Sequence, residues 1–277
     1  MNSTLASDVS LVILSDNAPR TLSMTLATYM RSHLLDIIPH HSIVNRGSSS
    51  AVQQIAAEYK IPVFSANAEQ GFFSMLKEGI AQSHTKYLLF VEEDCQVWEH
   101  LKGANLEKEL LMSLDLLESG HADLVRLRHA WQGKVRHKAA SVYSYFYPVS
   151  QLSSRWAHAE GLSDAPPWVK AFRRLIHPYK SKRWIGRSVY VEENPHLKFP
   201  HYIKKVDNSY IIDSSVFYWT NQPTLISASM MKRIIKVAEA RFTLFPSYNS
   251  LDFEDSVNGK DWKKAHLKVG VTEGIFT

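Results

Sequence analysis

The chain is 277 residues long, 45% hydrophobic and 21% charged, which gives room for one large domain or two small ones with an ample core. Eleven Gly, eleven Pro and no heptad run exclude collagen-like and coiled-coil classes, and a single cysteine, Cys95, excludes an internal disulfide framework and a multi-cysteine zinc site. The net charge is +5, yet residues 131–205 hold 14 Lys and Arg against 4 Asp and Glu, a local balance of +10.

Residues 8–16 form an apolar run that ends in polar residues, the pattern of a buried parallel strand. Pro19 suits a helix first turn, and Leu22, Leu26, Tyr29 and Met30 follow at helical spacing. A second strand is expected at 42–45, closed by Gly47 and three serines. A helix should follow at 50–59, with Val52, Ile55 and Ala56 on one face, then a third strand at 61–64. Residues 70–83 read as helix and 87–91 as the most apolar strand. Helix 104–118, with Leu106, Leu110, Leu114 and Leu117, leads into a strand at 122–128. This alternation predicts a doubly wound α/β sheet over about 130 residues.

The alternation stops after residue 130. Residues 131–205 carry 13 of the 31 aromatics, including Trp131, Trp156, Trp168 and Trp184, so this basic stretch is expected to meet an anionic partner. A solvated insertion with ordinary core aromatics is the other reading. Within it, 166–176 reads as a short helix with Trp168, Phe172, Leu175 and Ile176 opposite Lys170, Arg173 and Arg174. Regular pattern returns at 211–219 and 224–227, then a helix at about 228–240 and a strand-like tail from Lys268.

The sharpest chemical feature is Glu92, Glu93 and Asp94, directly after the most apolar strand. Ligands collect at carboxyl ends of strands in open α/β sheets. Alternation lets Glu92 and Asp94 face the same way, as two oxygen donors for Mg²⁺ or Mn²⁺; a solvated strand end is the alternative. A second acidic pair, Glu254 and Asp255, follows a turn-like stretch at 246–250 and could supply a general base, or merely favour a helix N-terminus. No phosphate-loop, dinucleotide or nucleophile-elbow motif is present. Cys95 beside the acids is expected to be a poor nucleophile.

The order of these pieces resembles the nucleotide-sugar-binding half of GT-A glycosyltransferases, most closely the inverting family 2-like enzymes. The resemblance covers about residues 8–130, with a second match at 217–277. It rests on the first strand, on Val44 to Ser48, on Asn67 to Gly71, on the strand ending in Glu92, Glu93 and Asp94, and on Phe253, Glu254 and Asp255. It implies a Rossmann-like, mostly parallel sheet flanked by helices, with a nucleotide-sugar half at 1–130, a basic acceptor-side insertion at 131–205 and the remainder of the catalytic domain at 206–277. Ser15, Asp16 and Asn45 would border the base and ribose. Asn67 and Gly71 would flank the diphosphate, and Glu93 would belong to the same donor pocket. Glu92 and Asp94 would stand in for the family's metal-binding pair, and Asp255, with Glu254 as alternate, would deprotonate the acceptor hydroxyl. The family's metal-binding His would fall just beyond 274–277, where this sequence ends.

The expected reaction is sugar transfer from a nucleoside-diphosphate donor to a glycan or lipid-linked hydroxyl, with inversion and with Mn²⁺ or Mg²⁺. Three alternatives stay open: a nucleotidyltransferase of the same fold, a non-catalytic sugar-binding domain and a nucleic-acid-binding module, the last disfavoured by the acidic triplet. No apolar run nears the roughly 18 residues of a membrane span, and no basic-then-apolar leader opens the sequence. The expected location is cytoplasmic, with peripheral contact to an anionic membrane through Arg173 and Arg174.

Overall fold

A computed structural model describes residues 4–128, 137–149, 161–244 and 253–277. Trp131, Trp156 and the turn at 246–250 lie outside the described residues. The strands are β1 (Val9–Ser15), β2 (His41–Arg46), β3 (Val63–Ala66), β4 (Tyr87–Glu92), β5 (Leu124–Arg128), β6 (Ile203–Val206), β7 (Ser209–Asp213), β8 (Thr224–Ser227) and β9 (Lys268–Phe276). The helices are α1 (Leu5–Asp8), α2 (Pro19–Ser32), α3 (Leu34–Ile37), α4 (Ser50–Glu58), α5 (Gly71–Gln82), α6 (Ala104–Glu118), α7 (His137–Phe146), α8 (Pro167–Ile176), α9 (Pro178–Arg187), α10 (Pro195–Lys198), α11 (Ala228–Leu244), α12 (Phe253–Val257) and α13 (Lys260–Lys264).

The strands form one sheet in the order β3-β2-β1-β4-β8-β5-β9-β7-β6. β1 pairs in parallel with β2 and β4, and β2 with β3; β5 and β9 are also parallel. Only β8 and β7 run against the rest, so the sheet is mixed, with four parallel and four antiparallel pairings among the described residues rather than the mostly parallel set expected. The fold is mixed α/β, with a large central sheet flanked by helices.

Side chains alternate across the pleat, and two hydrophobic clusters record this. Val9, Leu11 and Ile13 of β1 face α2, α4 and α6, whereas Val12 and Leu14 face α5, α7, α9 and α11. The second face is closely approached at Gly79 of α5, where a Cβ would meet Val12 Cγ1 at 2.6 Å. Ala140, Tyr143, Ile185 and Val189 of the basic insertion share that cluster with β1 and β4.

Several expectations shift. Met30 points outward while Leu22, Leu26 and Tyr29 are buried. The third strand begins after Pro62, two residues later than expected. Residues 211–219 do not form one strand. β7 ends at Asp213, and Val216, Phe217 and Trp219 are buried from irregular backbone. Its hairpin partner β6 escapes the hydrophobic pattern because Lys204 and Lys205 are exposed on an edge strand, a common guard against edge pairing.

Candidate active site

The chain leaves β1 on one side for β2 and β3, and returns on the other side as β4. That reversal opens a crevice at the carboxyl ends of β1 and β4, where open α/β sheets bind ligands. Ser15 and Asp16 lie at one lip, and Glu92, Glu93 and Asp94 at the other.

Glu93 joins the lips. Its carboxylate accepts the Asp16 amide at 2.6 Å, its own amide donates to Leu14 O at 3.0 Å, and its carbonyl accepts Thr25 Oγ1 at 2.5 Å. Asp16 pairs with Arg46 at the end of β2, Nε to Oδ1 at 2.6 Å. Asn17 takes a left-handed φ of 56°, which Asn tolerates, and its side chain donates to Arg46 O at 2.7 Å. Asn45 is buried and braces this turn: its Nδ2 donates to Asn17 Oδ1 at 2.8 Å and to Gly47 O at 3.1 Å. Ser15 is fully buried. Asn67 is exposed at the end of β3, and its Oδ1 accepts the Glu69 amide at 2.9 Å. Gly71 starts α5 with φ at 55°, a conformation that glycine adopts without Cβ strain.

Glu92 is half-buried and Asp94 exposed. Burial pushes the Glu92 carboxyl up to about 7, and the like charges of Asp94, Glu254 and Glu93 push the same way; Arg128 opposes them. Glu92 therefore lies close enough to feel both Asp94 and Glu254, although Glu254 comes 162 positions later in the chain. Cys95 is buried, and desolvation together with Asp94 holds its thiol far above the usual range. It is an inert thiol, as its neighbours suggested.

Glu254 arrives by way of a clamp. Phe253 is fully buried against Phe73 and Trp219, ring centroids at 5.0 and 5.8 Å, which anchors α12. Glu254 Oε1 then accepts the Asn221 amide at 2.5 Å. Asn258 exchanges two hydrogen bonds with the Trp219 backbone, at 2.7 and 2.8 Å, and Trp262 Nε1 donates to Phe217 O at 2.9 Å. From the other side Arg126 of β5, buried, donates to Thr220 O at 3.2 Å and to Thr220 Oγ1, and feels the Glu254 charge. Asp255 is exposed in the first turn of α12. Glu254, the alternate of the pair, is thus the member turned toward Glu92.

Sequence reasoning passed over Arg126 and Arg128. Their signal was two arginines at alternating positions in an otherwise buried strand, which puts both on one face toward the acids.

Among the described residues no group of three or more His, Cys, Asp and Glu side chains is arranged to hold a metal. Glu92 and Asp94 remain two hard oxygen donors, a set that suits Mg²⁺ or Mn²⁺ when substrate phosphates and water complete the shell.

No family model matches the chain, and no curated protein does. Among solved structures it is similar to TarS 1–349 of S. aureus, at 14% identity and TM-score 0.35, over 46% of this chain and 38% of that one. It is also similar to the mannosyltransferase PcManGT of Pyrobaculum calidifontis in complex with GDP-Man and Mn²⁺, at 10% identity and TM-score 0.36, over 46% and 37%. A third is glucosyl-3-phosphoglycerate synthase of Mycobacterium tuberculosis in complex with Mn²⁺ and UDP-glucose, at 17% identity and TM-score 0.34, over 43% of each chain. The match spans less than half the length of each of these structures.

Proposed function

We propose that the chain is a GT-A-type glycosyltransferase of the inverting kind, which moves a sugar from a nucleoside-diphosphate donor to a glycan or glycolipid hydroxyl. The observation that carries this reading is the placing of Glu92 and Asp94 at the end of β4, beside β1, where burial first and the charges of Asp94 and Glu254 second push the Glu92 carboxyl up to about 7. Such crowding is costly without a cation or a basic group to offset it, and among the described residues Arg128 acts on Glu92 in that sense. A divalent cation held by Glu92 and Asp94 would neutralise charge on a leaving diphosphate.

The chain's own residues supply the rest. The Glu93–Asp16 bond holds the crevice open at a fixed width, and Asn45 and Asn17 brace its far wall. Glu254 spends one oxygen on the Asn221 amide and so holds the 219–222 turn. One carboxylate of α12 takes the proton from the attacking hydroxyl: Asp255, the member the family resemblance assigns, or Glu254, the member turned toward Glu92. The hydroxyl oxygen bonds to the anomeric carbon as the bond to the diphosphate oxygen breaks on the opposite face, and configuration inverts. No covalent enzyme intermediate is required, in keeping with the inert Cys95.

Thermal shift against UDP-, GDP-, dTDP- and CMP-sugars with Mn²⁺ tests the donor site. A rise in melting temperature with at least one donor is expected, because a ligand that binds only the folded state stabilises it. No rise with any of them would remove the donor reading.

A further inference from the structure

Helix α8 turns its charged side inward. Lys170 is buried and its Nζ donates to Ser163 O at 2.8 Å. Arg173 Nη1 donates to Tyr145 O at 3.1 Å, and Arg174 Nη1 to Phe146 O at 2.7 Å. Those carbonyls belong to the last turn of α7, which has no intrahelical donors of its own to meet them. The opposite side of α8 is apolar and open to solvent: Trp168 is 72% exposed, Phe172 58%, Leu175 76% and Ile176 50%, and Tyr179 at the start of α9 is 74% exposed. The four on α8 recur at i, i+4, i+7 and i+8, one stripe along that helix, and Tyr179 follows in the first turn of α9.

The stripe sits in a cationic field. Residues 165–191 contain seven Lys and Arg and no Asp or Glu; Lys170, Arg173 and Arg174 turn inward, which leaves four outside that set. Lys180, Lys182 and Arg183 are exposed on α9, and Lys263 Nζ lies 5.0 Å from the Tyr179 ring centroid. An aromatic and aliphatic stripe flanked by cations matches the interface of an anionic bilayer, whose acyl boundary accepts the apolar side chains and whose headgroups attract Lys and Arg. Trp and Tyr settle at that depth. Among the described residues no helix is long and apolar enough to cross a membrane.

We propose that the outer face of α8 and the first turn of α9 dock the protein on an anionic lipid bilayer, with Trp168, Phe172, Leu175, Ile176 and Tyr179 in the interface and Lys180 and Lys182 against the headgroups. Arg173 and Arg174 serve the fold and not the lipid. The surface stands apart in sequence from the residues at the ends of β1 and β4, so vesicle binding and donor binding are measured separately.

The test is co-sedimentation of the full chain with phosphatidylcholine vesicles, with and without phosphatidylglycerol. The protein should pellet with the anionic vesicles, less as salt rises, and far less with phosphatidylcholine alone. Trp168→Ser with Leu175→Ser should abolish pelleting, and each of Lys180→Glu and Lys182→Glu should weaken it by roughly fivefold or more. All four positions are exposed, so the variants should keep the wild-type melting temperature. Three results would overturn the proposal: no pelleting at low salt, pelleting undiminished in the serine variant, or a concentration-dependent dimer that the serine variant converts to monomer.

Discussion

The carboxylate of Glu93 accepts the backbone N–H of Asp16 at 2.6 Å, across 77 positions of sequence, and so ties the end of β4 to the end of β1. A hydrogen bond to a charged group is worth about 1.5–3 kcal/mol, and less where, as at the exposed Asp16, water can take its place. Glu93→Ala should therefore lower the melting temperature by a few degrees at most. Glu93→Gln, which keeps an acceptor, should lower it less. Both are read by thermal unfolding, and an unchanged melting temperature in Glu93→Ala would show that the crevice is held in another way.

Glu92 gives the site a pH signature. Burial, with Asp94 and Glu254 beside it, raises its carboxyl from an ordinary 4.5 to about 7. A raised carboxyl holds its proton more tightly in the folded state than in the unfolded one. Its contribution is thus most favourable below 4.5 and is lost as the pH climbs through about 7. Glu92→Gln, a permanent mimic of the protonated form, should match wild type in stability in acid. Near pH 8 in metal-free buffer it should exceed wild type, on the order of 2 kcal/mol. Denaturant titrations at the two pH values measure this. Equal stability at both would mean that Glu92 is solvated.

The two carboxylates of α12 should separate by assay. Whichever of Asp255 and Glu254 is the base, its amide variant is expected to cut kcat by about 10²–10⁴ and leave KM nearly unchanged, since a base acts only in the transition state. Glu254→Ala should lower both turnover and stability, because the Asn221 amide loses its acceptor. If Asp255→Asn keeps wild-type turnover while Glu254→Gln, which still accepts that amide, does not, the proton passes to Glu254. Asp94→Asn should instead weaken donor binding as measured by titration with a nucleoside diphosphate and Mn²⁺.

Arg174 should behave as a structural residue. Its guanidinium meets Phe146 O at 2.7 Å and lies 5.2 Å from the Tyr147 ring centroid. Arg174→Ala is expected to cost about 1–2 kcal/mol of stability through the lost helix-end partner. Lys180→Glu, exposed on the neighbouring helix, should cost nothing measurable. Chemical denaturation of the two variants decides it, and equal stability would place Arg174 at the surface.

Much of the fold was legible in the residues. The apolar runs at β1 and β4 mark strands buried on both faces, and the helical spacing of Leu22, Leu26 and Tyr29 marks α2, because periodicity reports burial directly. The acidic triplet was legible as the end of a buried strand, and β4 does end at Glu92, with Glu93 tied back to β1. What periodicity does not carry is direction. β8 is a short apolar strand in either orientation, and only its pairing with β4 and β5 sets it antiparallel between them.

The sequence by itself determined which side of α8 is apolar and which is basic, and where the carboxylates fall along the chain. Only the tertiary structure decided which side meets the protein. A hydrophobic core ordinarily takes the apolar face, but the open carbonyls at the end of α7 needed donors, and Lys170, Arg173 and Arg174 turned inward to supply or flank them. The same holds for Glu254 and Asp255. Neighbours on a helix point about 100° apart, so their order in the chain says nothing of which faces the crevice. Burial of Phe253 among Phe73 and Trp219 sets the rotation of α12, and that packing turns Glu254 toward Glu92 and leaves Asp255 at the surface.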